Sequence, residues 1–129
     1  MQIKFISVMV QDQETALTFY TKILGFTKMA DIPMGAYRWL TLTSPDGMAG
    51  VELVLEAMTF PPSVDYQKAR FEAGIPALAL ITTNIEKEYH RLRELGVQFH
   101  GSPVNNGVIS NAIFEDTCGN LVNLVQPAG

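Results

Sequence analysis

The groups best suited to chemistry in this chain are two carboxylates on one strand-like segment. Glu52 and Glu56 lie in Val51-Glu52-Leu53-Val54-Leu55-Glu56, where alternate side chains share a face. Carboxylates on one face can divide into an acid and a base when their surroundings push their pKa values apart. A Glu52 buried beside Trp39 is expected to have a raised pKa and to abstract a proton next to a carbonyl. The alternative is a structural carboxylate hydrogen-bonded to a neighbouring strand residue such as Tyr37 or Asn123.

Other reactive side chains are sparse. Cys118 is the single cysteine, which excludes an internal disulfide and a multi-cysteine zinc site. Its neighbours Glu115 and Asp116 raise a thiol pKa rather than lower it, so it reads as a turn residue. His90 falls on a helix surface and reads as solvated. His100 lies near a strand end within reach of a pocket, but a lone imidazole needs converging partners. Arg38 sits between Tyr37 and Trp39 on the opposite strand face, where its charge reaches the rim and invites a contact with a ligand anion. The sequence has no Ser-His-Asp arrangement, phosphate-cradling glycine loop or zinc motif.

Composition bounds what these residues can serve. The chain has 129 residues, 9 Lys+Arg against 13 Asp+Glu, a net charge of −4 and 47% hydrophobic residues. That content supports one folded domain with a sizeable core. The acidic balance argues against nucleic acid as a partner. No apolar run approaches the roughly 18 residues that span a membrane. The opening Met1-Gln2-Ile3-Lys4 lacks the shape of a signal peptide, so a cytoplasmic location is expected.

The elements that must position the side chains come as two copies of one unit. Residues 3–10 alternate as a strand. Asp12 is placed as a helix N-cap, apolar residues follow at helical spacing from Ala16 to Leu24, and Gly25 ends the helix. Strand patterns at 26–32, 37–43 and 51–56 follow, separated by Pro33-Met34-Gly35 and Ser44-Pro45-Asp46-Gly47. The order then recurs: a strand at 77–82, a capping-box pattern at Thr83-Asn84-Ile85-Glu86, a helix closed by Gly96, and strands at 97–100, 108–115 and 121–126. Leu24-Gly25-Phe26 and Leu95-Gly96-Val97 correspond at an offset of 71.

The expectation is an α+β fold of two tandem βαβββ modules, forming an eight-stranded curved sheet or open barrel with helices outside. Module one covers 1–58 and module two 76–127 of a single domain spanning 1–129. The linker at 59–75 holds a short helix near residues 65–71, either a connector or a lid over the inner faces. Gly119-Asn120 is expected to provide the positive φ of the last hairpin.

The helices must cover the more aliphatic sheet faces: Ile6, Val8 and Val10; Leu40 and Leu42; Val51, Leu53 and Leu55; Leu78 and Leu80; Val122 and Leu124. The opposite faces then form a cup. Phe5, Tyr37 and Trp39 give it aromatic area, Glu52, Glu56 and Asn123 give it polarity, and Ser7, Val54 and Ala77 complete the lining. A largely apolar concavity with sparse polar groups suits a small ligand. The same aromatics would also suit a cup filled by its own side chains, acting only through protein contacts.

Two stretches carry a family resemblance. Val10-Gln11-Asp12, Ala16, Phe19-Tyr20 and Leu24-Gly25-Phe26 resemble the opening signature of the vicinal oxygen chelate superfamily. Phe114-Glu115-Asp116-Thr117-Cys118-Gly119-Asn120-Leu121 resembles its closing signature, an Asp-Pro-x-Gly-Asn turn before the last strand. That group includes glyoxalase I, extradiol dioxygenases and bleomycin resistance proteins. The resemblance implies paired modules and, in the enzymes, a divalent metal held by His or Glu at four places. Here those places hold Phe5, Glu52, Ala77 and Asn123, of which only Glu52 is anionic, so no metal site and no other cofactor is expected. The resemblance therefore implies a metal-independent binder of a small planar or cationic hydrophobic molecule, of the bleomycin-resistance type. The alternative is a glyoxalase-like lyase or isomerase acting on a small carbonyl compound with Glu52 as base. A homodimer is expected.

Overall fold

A computed structural model describes residues 1–128. Strand β1 (Phe5–Val10) leads into helix α1 (Gln13–Thr18). Asp12 caps that helix by accepting from the Thr15 N–H at 3.0 Å. The helix continues as a wider π-helical stretch, Phe19–Ile23. There the Thr21 hydroxyl donates to the Leu17 carbonyl at 2.6 Å. Gly25, at φ 86°, turns the chain out of the helix. Strands β2 (Thr27–Met34), β3 (Tyr37–Thr43) and β4 (Glu52–Ala57) complete the first module. Helix α2 (Pro62–Glu72) bridges to the second, made of β5 (Leu78–Ile81), α3 (Ile85–Glu94), β6 (Val104–Asn105), β7 (Ile109–Glu115) and β8 (Leu121–Pro127).

The strands form two four-stranded sheets, in the orders β1-β4-β3-β2 and β5-β8-β7-β6. In each, the first strand pairs in parallel with the fourth, and the remaining pairs are antiparallel. The α+β architecture of two βαβββ modules stands as the repeat implied.

Several local expectations are corrected. Residues 97–100 do not form a strand: Phe99 makes one isolated bridge to Phe114, and the second strand of that module is the short β6. Val97 and Phe99 turn into the core instead, and Gly101, at φ 107°, breaks the run. The cap of α3 is Asn84, not Thr83; it accepts from the Lys87 N–H at 3.1 Å. The linker helix starts at Pro62, a residue suited to a helix's first position, and so is longer than the pattern suggested. In the last hairpin the positive φ falls on Thr117 and Gly119, while Asn120 works through its side chain.

The helix-bearing faces of both sheets share one core. Val8, Val10, Leu40, Leu42 and Leu55 pack with Phe19, Tyr20, Ile85 and Leu92, and with Ala112, Phe114, Val122 and Leu124 of the second sheet. A run of rings crosses it: Phe19 to Phe114 at 6.2 Å, Phe114 to Phe99 at 5.4 Å, and Phe99 to Tyr89 at 4.8 Å between centroids. Ile6 keeps the expected aliphatic face, opposite Leu53, but is 48% exposed near the start of the strand.

Candidate functional site

Strand pairing sets the free face of the first sheet. Phe5, Ser7 and Met9 pair with Glu52, Val54 and Glu56, and Thr41 pairs with Val54. Partners across a ladder point the same way, so these side chains share a face with Tyr37 and Trp39. Phe5 and Trp39 meet edge to face, with centroids 5.3 Å apart at 77°. Thr41 and Val54 are buried beneath them, whereas Phe5 and Tyr37 remain 48% and 40% exposed. The β2–β3 ladder adds Ile32 opposite Trp39 and Met34 opposite Tyr37, two apolar side chains the sequence reading left out. Period-two alternation carried along β2 would have found them.

Glu52 sits at one end of this face, and its environment corrects two expectations. It accepts from the Thr41 hydroxyl at 2.6 Å and pairs with Lys4 Nζ at 2.9 Å, not with Tyr37 or Asn123. These two partners lower its pKa, the Thr41 hydrogen bond most, so the carboxylate is not the raised base expected beside Trp39. Glu56 lies four residues further along the same strand, about 13 Å away, too far to share a proton with it. Lys4 also lies 5.7 Å over the Phe5 ring.

The second sheet presents Ala77, Asn123 and Ile81 on its free face. Asn123 Oδ1 accepts from Asn111 Nδ2 at 3.0 Å, so this amide is already engaged by its neighbour strand. Ile81 is 75% exposed.

Residues of both sheets line a cavity of about 390 Å³ beneath α2. Ser7 and Glu56 from the first sheet and Ala77 from the second line it, together with Tyr66, Gln67, Arg70 and Phe71 of α2. The linker helix is thus a cover as well as a connector. Gln67 holds it down: its buried amide nitrogen points at the Met9 and Cys118 carbonyls and Asn120 Oδ1, at 3.0, 3.1 and 3.1 Å. Phe5, Tyr37, Trp39, Glu52, Val54 and Asn123 lie outside this cavity. Of the nine residues of the expected cup, this cavity brings together Ser7, Glu56 and Ala77.

The remaining candidates are accounted for by packing. Cys118 is buried, and burial with the nearby Asp116 charge pushes its thiol up to about 11. Arg38 is bound by Asp31 at 2.9 and 2.7 Å and by Glu14 at 2.6 Å, which leaves no free fork for a ligand anion. The hydrogen bond from Arg38 holds Asp31 at about 2. Among the described residues no three of His, Cys, Asp and Glu gather as metal ligands. Among them too, no helix is long and apolar enough to cross a membrane.

Comparison with known proteins agrees with this fold. The family model for the Glyoxalase/Bleomycin resistance protein/Dioxygenase superfamily matches residues 2–124. YurT, an uncharacterized protein of Bacillus subtilis (strain 168), is 49% identical over 98% of this chain and 99% of its own length. The crystal structure of UcmS2 superposes with a TM-score of 0.82 at 30% identity, covering 97% of each chain. That of TnmS3, described as an antibiotic binding protein from Streptomyces sp. CB03234, gives 0.77 at 33% identity, over 99% of this chain and 97% of that one.

Proposed function

This chain belongs to the Glyoxalase/Bleomycin resistance protein/Dioxygenase superfamily, and we propose that within it the protein is a metal-independent binder of small planar or cationic hydrophobic molecules. The observation that carries this reading is the Phe5–Trp39 ring pair, in which Phe5 is half-exposed and Trp39 partly buried, beside an ionised Glu52. Open aromatic faces with a carboxylate at their edge suit a flat apolar molecule bearing a positive charge. The likeness to TnmS3, described as antibiotic binding, supports a small-molecule ligand.

The donor set argues for metal independence. Phe5 and Ala77 offer no ligand atom and Asn123 is taken by Asn111, which leaves Glu52 as the one anionic donor where a divalent site needs about three protein ligands. The lyase or isomerase reading needs a Glu52 of raised pKa, and its surroundings lower it. A self-filled cup is disfavoured by the exposure of Phe5 and Tyr37.

A homodimer in which a second copy closes the cup completes the proposal. The chain exposes 7949 Å², where a compact monomer of 14.2 kDa would expose about 6,800 Å². Exposed apolar residues on the free sheet faces include Phe5, Ile32, Met34 and Ile81. The free, buried Cys118 suits a reducing, cytoplasmic setting.

The test uses Trp39, the only tryptophan, as reporter. Apo protein is titrated with planar cationic dyes and with small carbonyl compounds, with and without nickel. Saturable quenching by a planar cation, unchanged by nickel, is the expected result. Quenching or turnover that appears only with nickel would overturn the metal-independent reading, and no response to any compound would overturn binding at this face.

A further inference from the structure

The cavity under α2 takes no part in the binding reading, since Phe5, Trp39 and Glu52 lie outside it. Its wall carries one charged side chain from the first sheet, Glu56 on β4, and one from the helix above, Arg70 on α2. Much of the remaining wall is apolar, with Met9, Phe71, Ile75 and Leu121. At about 390 Å³ the cavity is of a size that holds a small ligand.

Arg70 is held in place without an anion. Arg38 and Arg91 pair with carboxylates, Asp31 and Glu14 for one and Glu88 for the other. Arg70 instead donates from Nη2 to the Pro76 carbonyl at 2.8 Å and from Nη1 to the Tyr66 hydroxyl at 3.4 Å, with its guanidinium 5.6 Å over the Tyr66 ring. That uses two of the five N–H bonds a guanidinium carries. Among the described residues no carboxylate pairs with Arg70 and no cation pairs with Glu56, so the two do not pair with each other. The amide nitrogens in the same wall are committed: Gln67 to the Met9 and Cys118 carbonyls and Asn120, and Asn120 to the Met9 carbonyl and Asp116. The cavity thus offers a guanidinium and a carboxylate, each with capacity to spare.

We propose that this cavity is a second ligand site, for small zwitterions with an apolar body, such as a hydrophobic α-amino acid. The ligand carboxylate accepts from the remaining N–H groups of Arg70, its ammonium donates to Glu56, and its apolar side chain lies against Phe71, Ile75 and Leu121. A guanidinium already fixed by Tyr66 and Pro76 loses little freedom when a carboxylate joins it. A ligand with one charge satisfies one of the two groups and crowds water away from the other, whereas a dipolar ligand satisfies both. The site stands apart from the Phe5–Trp39 face and does not depend on it.

The probes are L-phenylalanine, 3-phenylpropionate and 2-phenylethylamine, which share a phenyl ring on a two-carbon chain and differ in charge. Calorimetric titration of the full chain gives the affinities. Wild type is expected to prefer phenylalanine to either analogue by about fivefold, the scale of a part-exposed charge pair. Arg70→Gln should lower phenylalanine to the affinity of phenylethylamine, and Glu56→Gln should lower it to that of phenylpropionate. Arg70 also ties α2 to Pro76, so if Arg70→Gln loosens the helix the Glu56 variant decides, its side chain being in no ion pair. Trp39 emission should stay constant while phenylalanine saturates. Equal affinities in wild type, a preference that survives Glu56→Gln, or no binding of any probe overturns the inference. Quenching of Trp39 in step with the heat overturns it too, by placing phenylalanine on the Phe5–Trp39 face. Each of these results leaves the planar-cation reading standing, which falls only if the planar cations fail to quench Trp39.

Discussion

Tyr20 and Asp116 join the two modules through a buried hydrogen bond: the Tyr20 hydroxyl donates to Asp116 Oδ2 at 2.7 Å, across 96 residues of sequence. Asp116 is fully buried and also accepts from the N–H groups of Cys118 and Asn120, at 2.8 and 3.0 Å. One carboxylate thereby shapes the last hairpin and anchors it to the first helix. Tyr20→Phe removes the donor from the opposite module and keeps the ring in the core. The expected loss is about 1–3 kcal/mol of unfolding free energy, because a buried acceptor is left short of a partner. Urea denaturation followed by circular dichroism measures it, and a change within a few tenths would show that the bond is not a stabilising tie.

Alkaline stability should report Cys118. Its thiol pKa is raised from 9.0 to about 11 in the folded chain, chiefly by burial. A group whose folded pKa is raised stabilises below the unfolded value and loses that contribution as pH rises through the folded one. The wild type should therefore lose stability as pH rises from about 9 to about 11. Tyr20, also raised by burial, extends the loss further. Cys118→Ala should flatten the earlier part of that slope. Urea midpoints collected across this window decide the matter, and identical slopes for both proteins would refute the assignment.

The sequence made the repeat, the Asp12 cap, the helix ends at Gly25 and Gly96 and the buried aliphatic faces legible, because each rests on local chemistry or strict alternation. Its failures share a cause. The run at 97–100 alternates like a strand, yet Val97 and Phe99 are claimed by tertiary packing against Tyr89 and Phe114. Glu52 is held low chiefly by the Thr41 hydroxyl on the neighbouring strand and then by Lys4 just before β1, partners that alternation along β4 does not reveal. The cup residues were assigned to the correct faces, but periodicity fixes direction within a sheet and says nothing of where the other sheet stands.

Gly119 should resist substitution for a reason visible in space as well as in dihedral angle. Its φ is 92°, and an added Cβ would lie 2.5 Å from Gln67 Oε1 and 2.7 Å from Gln11 Nε2. Gly119→Ala is expected to cost about 1–2 kcal/mol from backbone strain alone, and more from the contact. In a Gln67→Ala background the contact with Gln67 is gone, so the two changes should be clearly sub-additive. Strict additivity in a double-mutant cycle would mean that α2 does not press on the turn.

Cation binding should follow the ionisation of Glu52. Because Thr41 and Lys4 lower its pKa, the carboxylate stays charged well into the acid range, and quenching of Trp39 by a planar cation should persist below the ordinary carboxylate value. Glu52→Gln should weaken that binding about 2- to 5-fold, the scale of a partly exposed ion pair. Thr41→Val should raise the Glu52 pKa and move the loss of binding to higher pH. An affinity for the cation that Glu52→Gln leaves unchanged would remove Glu52 from the site.

The free sheet faces make the sharpest demand on assembly. Ile81, the last residue of the edge strand β5, is 75% exposed on the free face of its sheet. It contributes nothing to the core of its own chain, so Ile81→Lys should leave the isolated fold intact. If a second copy covers this face, the same change buries an unpaired ammonium group in the interface and should drive dissociation. Wild type is expected to sediment at about twice 14.2 kDa and Ile81→Lys as a folded monomer. The variant should also lose affinity for planar ligands although Ile81 is remote in sequence from Phe5 and Trp39, because the wall opposite those rings would be missing. A wild type that sediments as a monomer would end the shared-cup proposal, and a monomeric variant with full affinity would place the ligand within a single chain.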